Sequence, residues 1–129
     1  MDASKDLPPK KRPLEGITVL DFSRVLAGPY CTMVLADLGA RVIKIERLAT
    51  GDDTRAFGPF VDQESAYFMC FNRGKESIAL DLKSPRDRDL LERLLGEADV
   101  VVENFRPGVM DRLGYGAERL SRTHPHLVY

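Results

Sequence analysis

The chain has 129 residues, 43% hydrophobic and 30% charged, which is typical of a globular domain with its own core. Its 19 basic and 20 acidic side chains give a net charge of −1, so no overall field draws it to nucleic acid or to an anionic membrane. The longest uncharged run, residues 25–36, is too short to span a bilayer, and the two cysteines have neither a CxxC nor a metal-binding spacing. We therefore expect no membrane, nucleic-acid or metal partner, no disulfide framework, and a reducing compartment such as the cytoplasm.

The first 13 residues differ in composition from the rest of the chain. They hold three prolines and four basic against two acidic side chains. Such a segment has little apolar surface to bury, so we predict a flexible tail over 1–13 and an ordered unit over 14–129. The basic run 10–12 also fits a localisation signal, although short basic runs are common in solvated tails.

The ordered part begins with a strand–helix–strand unit. Residues 17–21 are short and rich in β-branched side chains, which predicts a buried strand. Pro29 fits the first turn of a helix, where its missing N–H costs no hydrogen bond, and Gly39 supplies the stop. A second strand is predicted over 42–46. Together these elements span about 30 residues, the size of a parallel βαβ unit.

A second round of the same pattern follows a long polar segment. Residues 47–63 are rich in Gly, Asp and Pro and predict a loop, which at this length is usually functional or mobile. Residues 77–81 predict a strand. Ser84, with Pro85 behind it and Asp87 three residues on, is typical of a capping box at a helix start. A leucine stripe at helical spacing continues from there: Leu90, Leu91, Leu94 and Leu95.

The last elements complete an alternating α/β pattern. Residues 99–103 form a continuous apolar run, as in a parallel strand covered on both faces. A short helix is predicted over 117–122, and the beginning of another strand over 127–129. We expect a parallel sheet flanked by helices. Because a parallel sheet needs its next strand and crossover, we expect 14–129 to be a fragment, or to be completed by another chain.

Catalytic and metal-binding side chains do not stand out in this pattern. Cys31 falls in an apolar helix and Cys70 among aromatic residues, so both are predicted to be core thiols. His124 and His126 flank a proline in a late turn and are expected to be exposed. We assign no catalytic residue and no metal ligand, and expect binding groups without a catalytic set.

Cations follow each predicted strand. Arg24, Arg47, Lys83 and Arg106 all lie just beyond the carboxyl end of a strand, where open α/β sheets bind their ligands. Taken singly, each of them is better explained as a solvated loop residue. Together they line one edge of the sheet with positive charge, which suits a ligand that carries several phosphates.

A dinucleotide site is the main alternative at the same edge. It needs a GxGxxG motif in the first strand-to-helix turn, whereas this turn has Gly28 alone, followed by Pro29. Glu46 stands where a ribose-binding acid would stand, although a lone acid at a strand end is weak support. A nicotinamide-dependent oxidoreductase stays open as an alternative on these grounds.

A series of short motifs runs through the ordered part. Residues 14–21, followed by Ala27-Gly28-Pro29, open the series. It continues with residues 35–40, 42–46, 51–55, 72–75, 77–78, 80–83 and 102–108. In this order and spacing, the motifs resemble those of the class III coenzyme A transferases of the CaiB/BaiF type, over the whole of 14–129.

The resemblance implies a fold and an assembly. Members of the family are several times longer than this chain, with a Rossmann-like large domain built from both chain ends and a smaller domain. Two chains interlock as rings in a homodimer. This chain then corresponds to the N-terminal portion of the coenzyme A-binding large domain, in the cytoplasm or, in a eukaryote, the mitochondrial matrix. Coenzyme A and acyl-coenzyme A are substrates, so no separate cofactor is implied.

The resemblance also implies a set of coenzyme A contacts. Leu26 and Ala27 match the turn that holds the pantetheine and thioester end, and Arg47 matches an arginine near the nucleotide. Residues 80–83 match a segment along the adenosine, and 104–106 match the next nucleotide segment. With a further phosphate-binding arginine, the full set is Leu26, Ala27, Arg47, Leu80, Asp81, Leu82, Lys83, Asn104, Phe105, Arg106 and Arg112.

An acyl-transfer mechanism comes with the resemblance. In the family an aspartate attacks the acyl-coenzyme A carbonyl, the released thiolate converts the mixed anhydride into an aspartyl thioester, and a carboxylic acid acceptor attacks last. No Asp here matches that nucleophile, which is expected beyond Tyr129. Racemases of the family have a shorter segment where this chain keeps 51–71, which favours a transferase. Residues 51–55, with Phe57-Gly58-Pro59, most resemble the members that use succinyl-coenzyme A and a dicarboxylate acceptor. An α-methylacyl-coenzyme A racemase and a non-catalytic coenzyme A-binding module are alternatives.

Overall fold

The computed structural model describes residues 11–129, so most of the predicted tail lies outside the described residues. The strands are β1 (Thr18–Asp21), β2 (Arg41–Arg47), β3 (Phe60–Val61), β4 (Glu64–Ser65), β5 (Lys75–Leu80) and β6 (Val100–Val102). The helices are α1 (Ala27–Asp37), α2 (Ala66–Asn72), α3 (Pro85–Glu97), α4 (Val109–Leu113) and α5 (Ala117–Thr123), with a 3₁₀ turn at Asp53–Ala56.

Four parallel strands form the sheet, in the order β5-β2-β1-β6. Thr18 pairs with Arg41, Val42 with Lys75 and Val19 with Val100. Along the sheet these are the third, second, first and fourth parallel strands, as in one half of a doubly wound fold. The predicted α/β architecture is therefore confirmed. The order reverses between β1 and β6, so the crevice typical of such sheets lies between the loops that leave these two strands.

The core has one layer on each face of the sheet. Leu20 of β1 and Ile43 of β2 belong to a buried cluster with Leu91 of α3, and Leu20 and Leu91 are fully buried. On the opposite face, Val19 packs with Ala36 of α1. Because neighbouring residues of a strand point to opposite faces, a strand covered on both faces needs apolar side chains at successive positions. Val19 and Leu20 of β1 and Val100–Val102 of β6 meet this requirement.

Helix α1 begins at Ala27, two residues before the predicted start at Pro29. Pro29 still lies in the first turn, where its missing N–H leaves no hydrogen bond unmade. The predicted stop at Gly39 is confirmed: its φ is +108°, and its N–H donates to the carbonyl of Ala36 at 2.9 Å. A side chain is disfavoured in that conformation, so glycine ends the helix at low cost.

The predicted loop over 47–63 contains more structure than its composition indicates. It includes the 3₁₀ turn at Asp53–Ala56 and strand β3, which pairs antiparallel with β4. Helix α2 follows directly and was not predicted. Its seven residues are mostly apolar and aromatic, too few and too uniform to show a helical period.

The predicted capping box at the start of α3 is wrong. The helix does begin at Pro85, but the Ser84 side chain makes no capping hydrogen bond. The carboxylate of Asp87 instead accepts a hydrogen bond from the backbone N–H of Asp81, at 2.8 Å. Asp87 therefore stabilises the turn between β5 and α3 rather than its own helix terminus.

The strand predicted over 127–129 is reduced to a single bridge. Val128 pairs in parallel with Val100 of β6, and its N–H donates to the carbonyl of Asp99 at 2.9 Å. Val128 is 65% exposed, since no helix of the described residues covers it.

The prediction that both cysteines are core thiols is wrong. Cys31 and Cys70 are exposed. They lie on the outer faces of α1 and α2, beside Tyr30 and Met69, which are 53% and 41% exposed. The apolar composition of these helices suggested burial, but no element of residues 11–129 packs over their outer faces.

Candidate functional site

A cleft of about 480 Å³ opens at the carboxyl edge of the sheet. The loops that leave β1, β2, β5 and β6 supply its walls together with α4. Parallel strands all end at this edge, so residues distant in the chain converge there. The cleft lies beside the point where the strand order reverses, as expected for a ligand site of this fold.

One wall of the cleft is apolar. It is formed by Leu80, Leu82 and Phe105, with Val109 and Leu113 of α4 beside them. Leu80 is buried, whereas Leu82 and Phe105 are half-buried and pack against the core beneath. A wall of this kind takes a flat apolar group such as an aromatic ring.

Cations surround the apolar wall. Arg24, Arg47 and Lys83 all line the cleft: Arg24 follows β1, Arg47 is the last residue of β2 and Lys83 follows β5. Arg24 lies over the ring of Phe105, 4.8 Å from its centre, and is held there by a cation–π contact. The combination of apolar wall and cationic rim suits an aromatic ligand that also carries anionic groups.

A second, shallower depression of about 420 Å³ adjoins the cleft. The two share Arg24, Phe105 and Val109, so they are continuous along the loops after β1 and β6. Arg106 and Asp53 lie in the second depression. An elongated ligand can therefore extend from one into the other.

Eight of the eleven predicted contact residues line one of these two hollows. The cleft contains Arg47, Leu80, Asp81, Leu82, Lys83 and Phe105. Asn104 and Arg106 line the second depression, together with Phe105. Leu26, Ala27 and Arg112 line neither: the first two are exposed at the start of α1, and Arg112 is exposed on α4.

Asn104 joins the loops after β1 and β6. Its side-chain oxygen accepts a hydrogen bond from the N–H of Arg24, and its side-chain nitrogen donates to the carbonyl of Arg24, both at 2.8 Å. Val25, which follows Arg24 in the chain, has a φ of +69°, a strained conformation for a β-branched side chain. The two hydrogen bonds of Asn104 therefore hold a turn that would otherwise relax, directly before the start of α1.

A buried ion pair lies beneath the cleft. The Lys44 ammonium is 2.8 Å from the Asp52 carboxylate, and the two side chains are 1% and 0% exposed. Lys44 also donates to the carbonyl of Ser23 at 2.8 Å, and Asp52 accepts from the N–H of Thr54 at 2.9 Å. Burial by itself raises the pKa of Asp52, but the bonds from Lys44 and Thr54 outweigh it and leave that pKa below its usual value. The pair ties the loop after β1 to the loop after β2.

Glu46, which stands where the dinucleotide alternative needs a ribose-binding acid, is fully hydrogen-bonded within the chain itself. Its oxygens accept from Arg55 at 2.7 and 2.8 Å, from the Ser77 hydroxyl at 2.6 Å and from the N–H of Asp52 at 2.9 Å. Burial raises its pKa, yet the hydrogen bonds from Arg55 and Ser77 outweigh burial and lower the pKa to about 2. Glu46 is therefore a charged anchor for the 51–55 loop.

A second buried pair supports the start of α1. The Lys75 ammonium is 3.0 Å from the Asp21 carboxylate and also donates to the carbonyl of Pro29 at 2.9 Å. The Thr32 hydroxyl donates to the same carboxylate at 2.6 Å. Burial lowers the pKa of Lys75, although the charge of Asp21 opposes the shift. These bonds attach β5 to β1 and to the first turn of α1, and so fix the turn that carries Leu26 and Ala27.

The buried charges beneath the cleft were missed by sequence reasoning. Lys44 stands within an apolar strand, between Ile43 and Ile45, and so cannot reach solvent if both faces are covered. The position of Lys44 in the sequence could have indicated a buried ion pair, since a buried lysine requires a partner. The partner, Asp52, lies in a loop that composition alone left unstructured.

Two kinds of feature are absent from residues 11–129. None of the helices there is both long and apolar enough to cross a membrane. Within the same residues, His, Cys, Asp and Glu side chains do not gather in a group of three that could hold a metal ion.

Comparison with known sequences identifies relatives for almost the whole ordered part. The model of CoA-transferase family III matches residues 14–129. Acetyl-CoA:oxalate CoA-transferase of Acetobacter aceti is 53% identical over 119 residues, 92% of this chain and 31% of that protein. Succinyl-CoA:glutarate CoA-transferase of Mus musculus is 50% identical over 92% of this chain and 27% of that protein. The chain thus spans about a third of the length of the curated relatives it matches.

Solved structures agree with this result. A CaiB/BaiF family protein from Brucella suis superposes with a TM-score of 0.85 at 45% identity, over 93% of this chain and 33% of that one. A hypothetical protein from Mycobacterium tuberculosis superposes with a TM-score of 0.82 at 43% identity, over 92% of this chain and 31% of that one.

Proposed function

The chain belongs to CoA-transferase family III, and we propose that it forms the coenzyme A-binding part of an acyl-CoA:carboxylate CoA-transferase. The observation that carries the proposal is the cleft at the carboxyl edge of the sheet, where an apolar wall adjoins a cationic rim. Coenzyme A combines an adenine ring with a pyrophosphate and a 3′-phosphate. Its two chemical parts match the two parts of the cleft.

We propose that each part of coenzyme A contacts a different part of the site. The adenine ring packs against Leu80, Leu82 and Phe105, while Asp81 and Asn104 hold the loops that carry these residues. The phosphates bind the cations of the rim and of the adjoining depression: Arg47, Lys83, Arg106 and, at its outer side, Arg112. The pantetheine arm runs toward Leu26 and Ala27, where the fixed turn before α1 presents the thioester end.

A nicotinamide-dependent oxidoreductase is disfavoured by Glu46. An acid that binds a ribose needs free oxygens, whereas those of Glu46 accept hydrogen bonds from Arg55, Ser77 and Asp52. The family of the chain argues in the same direction.

For the reaction, we propose covalent catalysis by an aspartate that this chain does not supply. The aspartate oxygen would attack the thioester carbonyl, expelling the coenzyme A thiolate and forming a mixed anhydride. Attack of the thiolate on the aspartyl carbonyl would release the acyl carboxylate and leave an aspartyl thioester. The acceptor carboxylate would complete the exchange by the same two steps in reverse. The buried Asp21 and Asp52 each face a lysine and serve the fold instead.

We propose a dicarboxylic acid as the acceptor and succinyl-coenzyme A as the donor. Relatives named for oxalate, glutarate and mesaconate all act on dicarboxylates, and several of them are named for succinyl-coenzyme A. A racemase is the second candidate within the family, and the transferase names of the relatives favour the first. For the protein in the cell, we propose an interlocked homodimer in the cytoplasm, or in the mitochondrial matrix of a eukaryote.

Coenzyme A binding to the chain, measured by isothermal titration calorimetry, tests the site. Arg47→Ala and Lys83→Ala should each weaken binding by about 1.5–3 kcal/mol, the range for charge-assisted hydrogen bonds. The loss should shrink with dephospho-coenzyme A for whichever residue binds the 3′-phosphate. Lys11→Ala and Arg93→Ala are matched controls, since both side chains are exposed and line neither hollow. Unchanged affinity in both test variants would remove the assignment.

The chain alone should show no acyl transfer, because the proposed covalent route needs a nucleophilic aspartate that we assign to none of its residues. Exchange between succinyl-coenzyme A and glutarate, followed by chromatography, checks this expectation. Turnover above a buffer control would contradict it.

A further inference from the structure

Asp53 lies between two arginines at the junction of the cleft and the second depression. One carboxylate oxygen is 3.4 Å from a guanidinium nitrogen of Arg24, and the other accepts from the guanidinium of Arg47. Arg24 lies in the loop after β1 and Arg47 is the last residue of β2, so two guanidinium groups from separate parts of the chain contact one carboxylate. Each of the three side chains is one-third to one-half exposed.

The fold does not need these two contacts. The 51–55 loop is already anchored from beneath by the buried Asp52, which faces Lys44, and by Arg55, which binds Glu46 through two hydrogen bonds. Asp53 points the other way, toward the rim. Ion pairs at this exposure contribute little to stability, because water and salt screen them.

The two contacts matter instead for what the arginines can bind. Without Asp53, two guanidinium groups would stand close together and attract anions from solution. A phosphate group offers more charge and more acceptor oxygens than a carboxylate, and it fits a guanidinium with two parallel hydrogen bonds. A polyphosphate can therefore take these arginines from Asp53, whereas a chloride or a small carboxylate has little advantage over it.

We propose that Asp53 is a built-in counter-ion and competitor for the phosphates of the ligand. It neutralises part of the charge of Arg24 and Arg47 in the free protein, and the polyphosphate of the ligand displaces it on binding. This inference rests on the proposed function, since it takes the anionic part of coenzyme A as the displacing group. Asp53 thereby lowers the affinity for coenzyme A, which favours its release, and it makes binding less sensitive to salt.

The salt dependence follows from counter-ion exchange. Where solution anions neutralise the arginines, the ligand releases them, and affinity falls as salt rises. Where Asp53 neutralises the arginines, the ligand displaces a carboxylate that stays attached, and fewer ions are released. Removal of the Asp53 charge should therefore strengthen binding at low salt and steepen its decline with salt.

Inorganic pyrophosphate and coenzyme A are the two probes, titrated calorimetrically at 50 and 500 mM sodium chloride. Asp53→Asn keeps the shape and a hydrogen-bond acceptor but removes the charge. We expect it to bind pyrophosphate about three- to tenfold more tightly than wild type at 50 mM salt, with a smaller difference at 500 mM. Asp53→Glu should restore the wild-type salt dependence. Asp89→Asn, an exposed aspartate on α3 that lines neither hollow, changes the net charge equally and should bind like wild type.

Each outcome separates this inference from the proposed function. Equal or weaker pyrophosphate binding by Asp53→Asn overturns the inference, as does a failure of wild type and variant alike to bind pyrophosphate. Tighter pyrophosphate binding without any coenzyme A binding supports the inference and overturns the proposed function. A circular-dichroism melt accompanies each variant. Loss of the fold in Asp53→Asn, repeated in Asp53→Ser, would also overturn the inference, which requires Asp53 to contribute little to stability.

Discussion

Replacement of Glu46 by Gln isolates the charge that anchors the 51–55 loop. The side chain is 4% exposed and its oxygens accept two hydrogen bonds from Arg55 and one each from Ser77 and Asp52. Glutamine keeps the size of the side chain but loses the negative charge and places an N–H₂ group where one carboxylate oxygen accepts. The variant should therefore destabilise the fold without opening a cavity.

The pKa of Glu46 sets the magnitude. It lies near 2 in the fold against an ordinary value of 4.5, a difference worth about 3 kcal/mol at about 1.4 kcal/mol per pH unit. Because Arg55 is 38% exposed, solvent screens part of that interaction, and we expect Glu46→Gln to lose about 2 kcal/mol at pH 7.

The stabilising effect of Glu46 should depend on pH. A pKa that is lowered in the fold means that the charged form stabilises the native state, fully above about pH 4.5. That stability is lost as the pH falls through the folded value near 2. The gap in unfolding free energy between wild type and Glu46→Gln should therefore be constant from pH 7 to 5 and close between about pH 4.5 and 2. The shift in Asp52 is present in both proteins and cancels to first order.

Urea denaturation followed by circular dichroism at pH 7, 5, 4 and 3 measures the gap. Glu76→Gln is the matched control: Glu76 also pairs with an arginine, Arg41, but both side chains are 57% exposed, so its loss should be much smaller. A gap for Glu46→Gln no larger than that of the control, or one that stays constant down to pH 3, would refute the reasoning.

Two further predictions concern the buried charges and the exposed helices. Lys44→Met should cost about 3–5 kcal/mol of unfolding free energy, because it leaves Asp52 buried without its partner. The double variant, Lys44→Met with Asp52→Asn, should cost less than the sum of the two single changes. Additive losses in urea denaturation would contradict this coupling. The chain should also bind a hydrophobic dye and self-associate, since Tyr30, Val34 and Met69 expose apolar surface on α1 and α2. Val34→Lys should reduce dye fluorescence and association in sedimentation, whereas Ser121→Lys, the same change in charge at an exposed polar site on α5, should not.

Elements with a strong local signal could be predicted from the sequence. Strands β1 and β6 are apolar at successive positions, and Gly39 marks the end of α1 through a conformation that other residues avoid. A parallel sheet with ligand-binding loops at its carboxyl edge follows from the alternation of these elements. The cations after the strands were identifiable for the same reason, since Arg47 and Lys83 need only their place in the chain to be assigned to that edge.

Short elements with a uniform composition were beyond such reasoning. Helix α2 has seven residues and no polar face, so no period distinguishes it from a loop. Cys31 and Cys70 illustrate the reverse error: apolar surroundings in the chain suggested burial, but whether a helix face is covered depends on what packs against it.

The partners of the charged residues were decided by the tertiary structure alone. Lys44 faces Asp52, Glu46 binds Arg55, and Asp53 meets both Arg24 and Arg47, although nothing in the residue types distinguishes Asp52 from Asp53. The path of the 51–55 loop turns one aspartate inward to a buried lysine and the next outward to the rim. A hydrogen bond or ion pair requires its atoms within about 3–4 Å, and only the order of the strands in the sheet, with the loops between them, brings residues from separate elements that close.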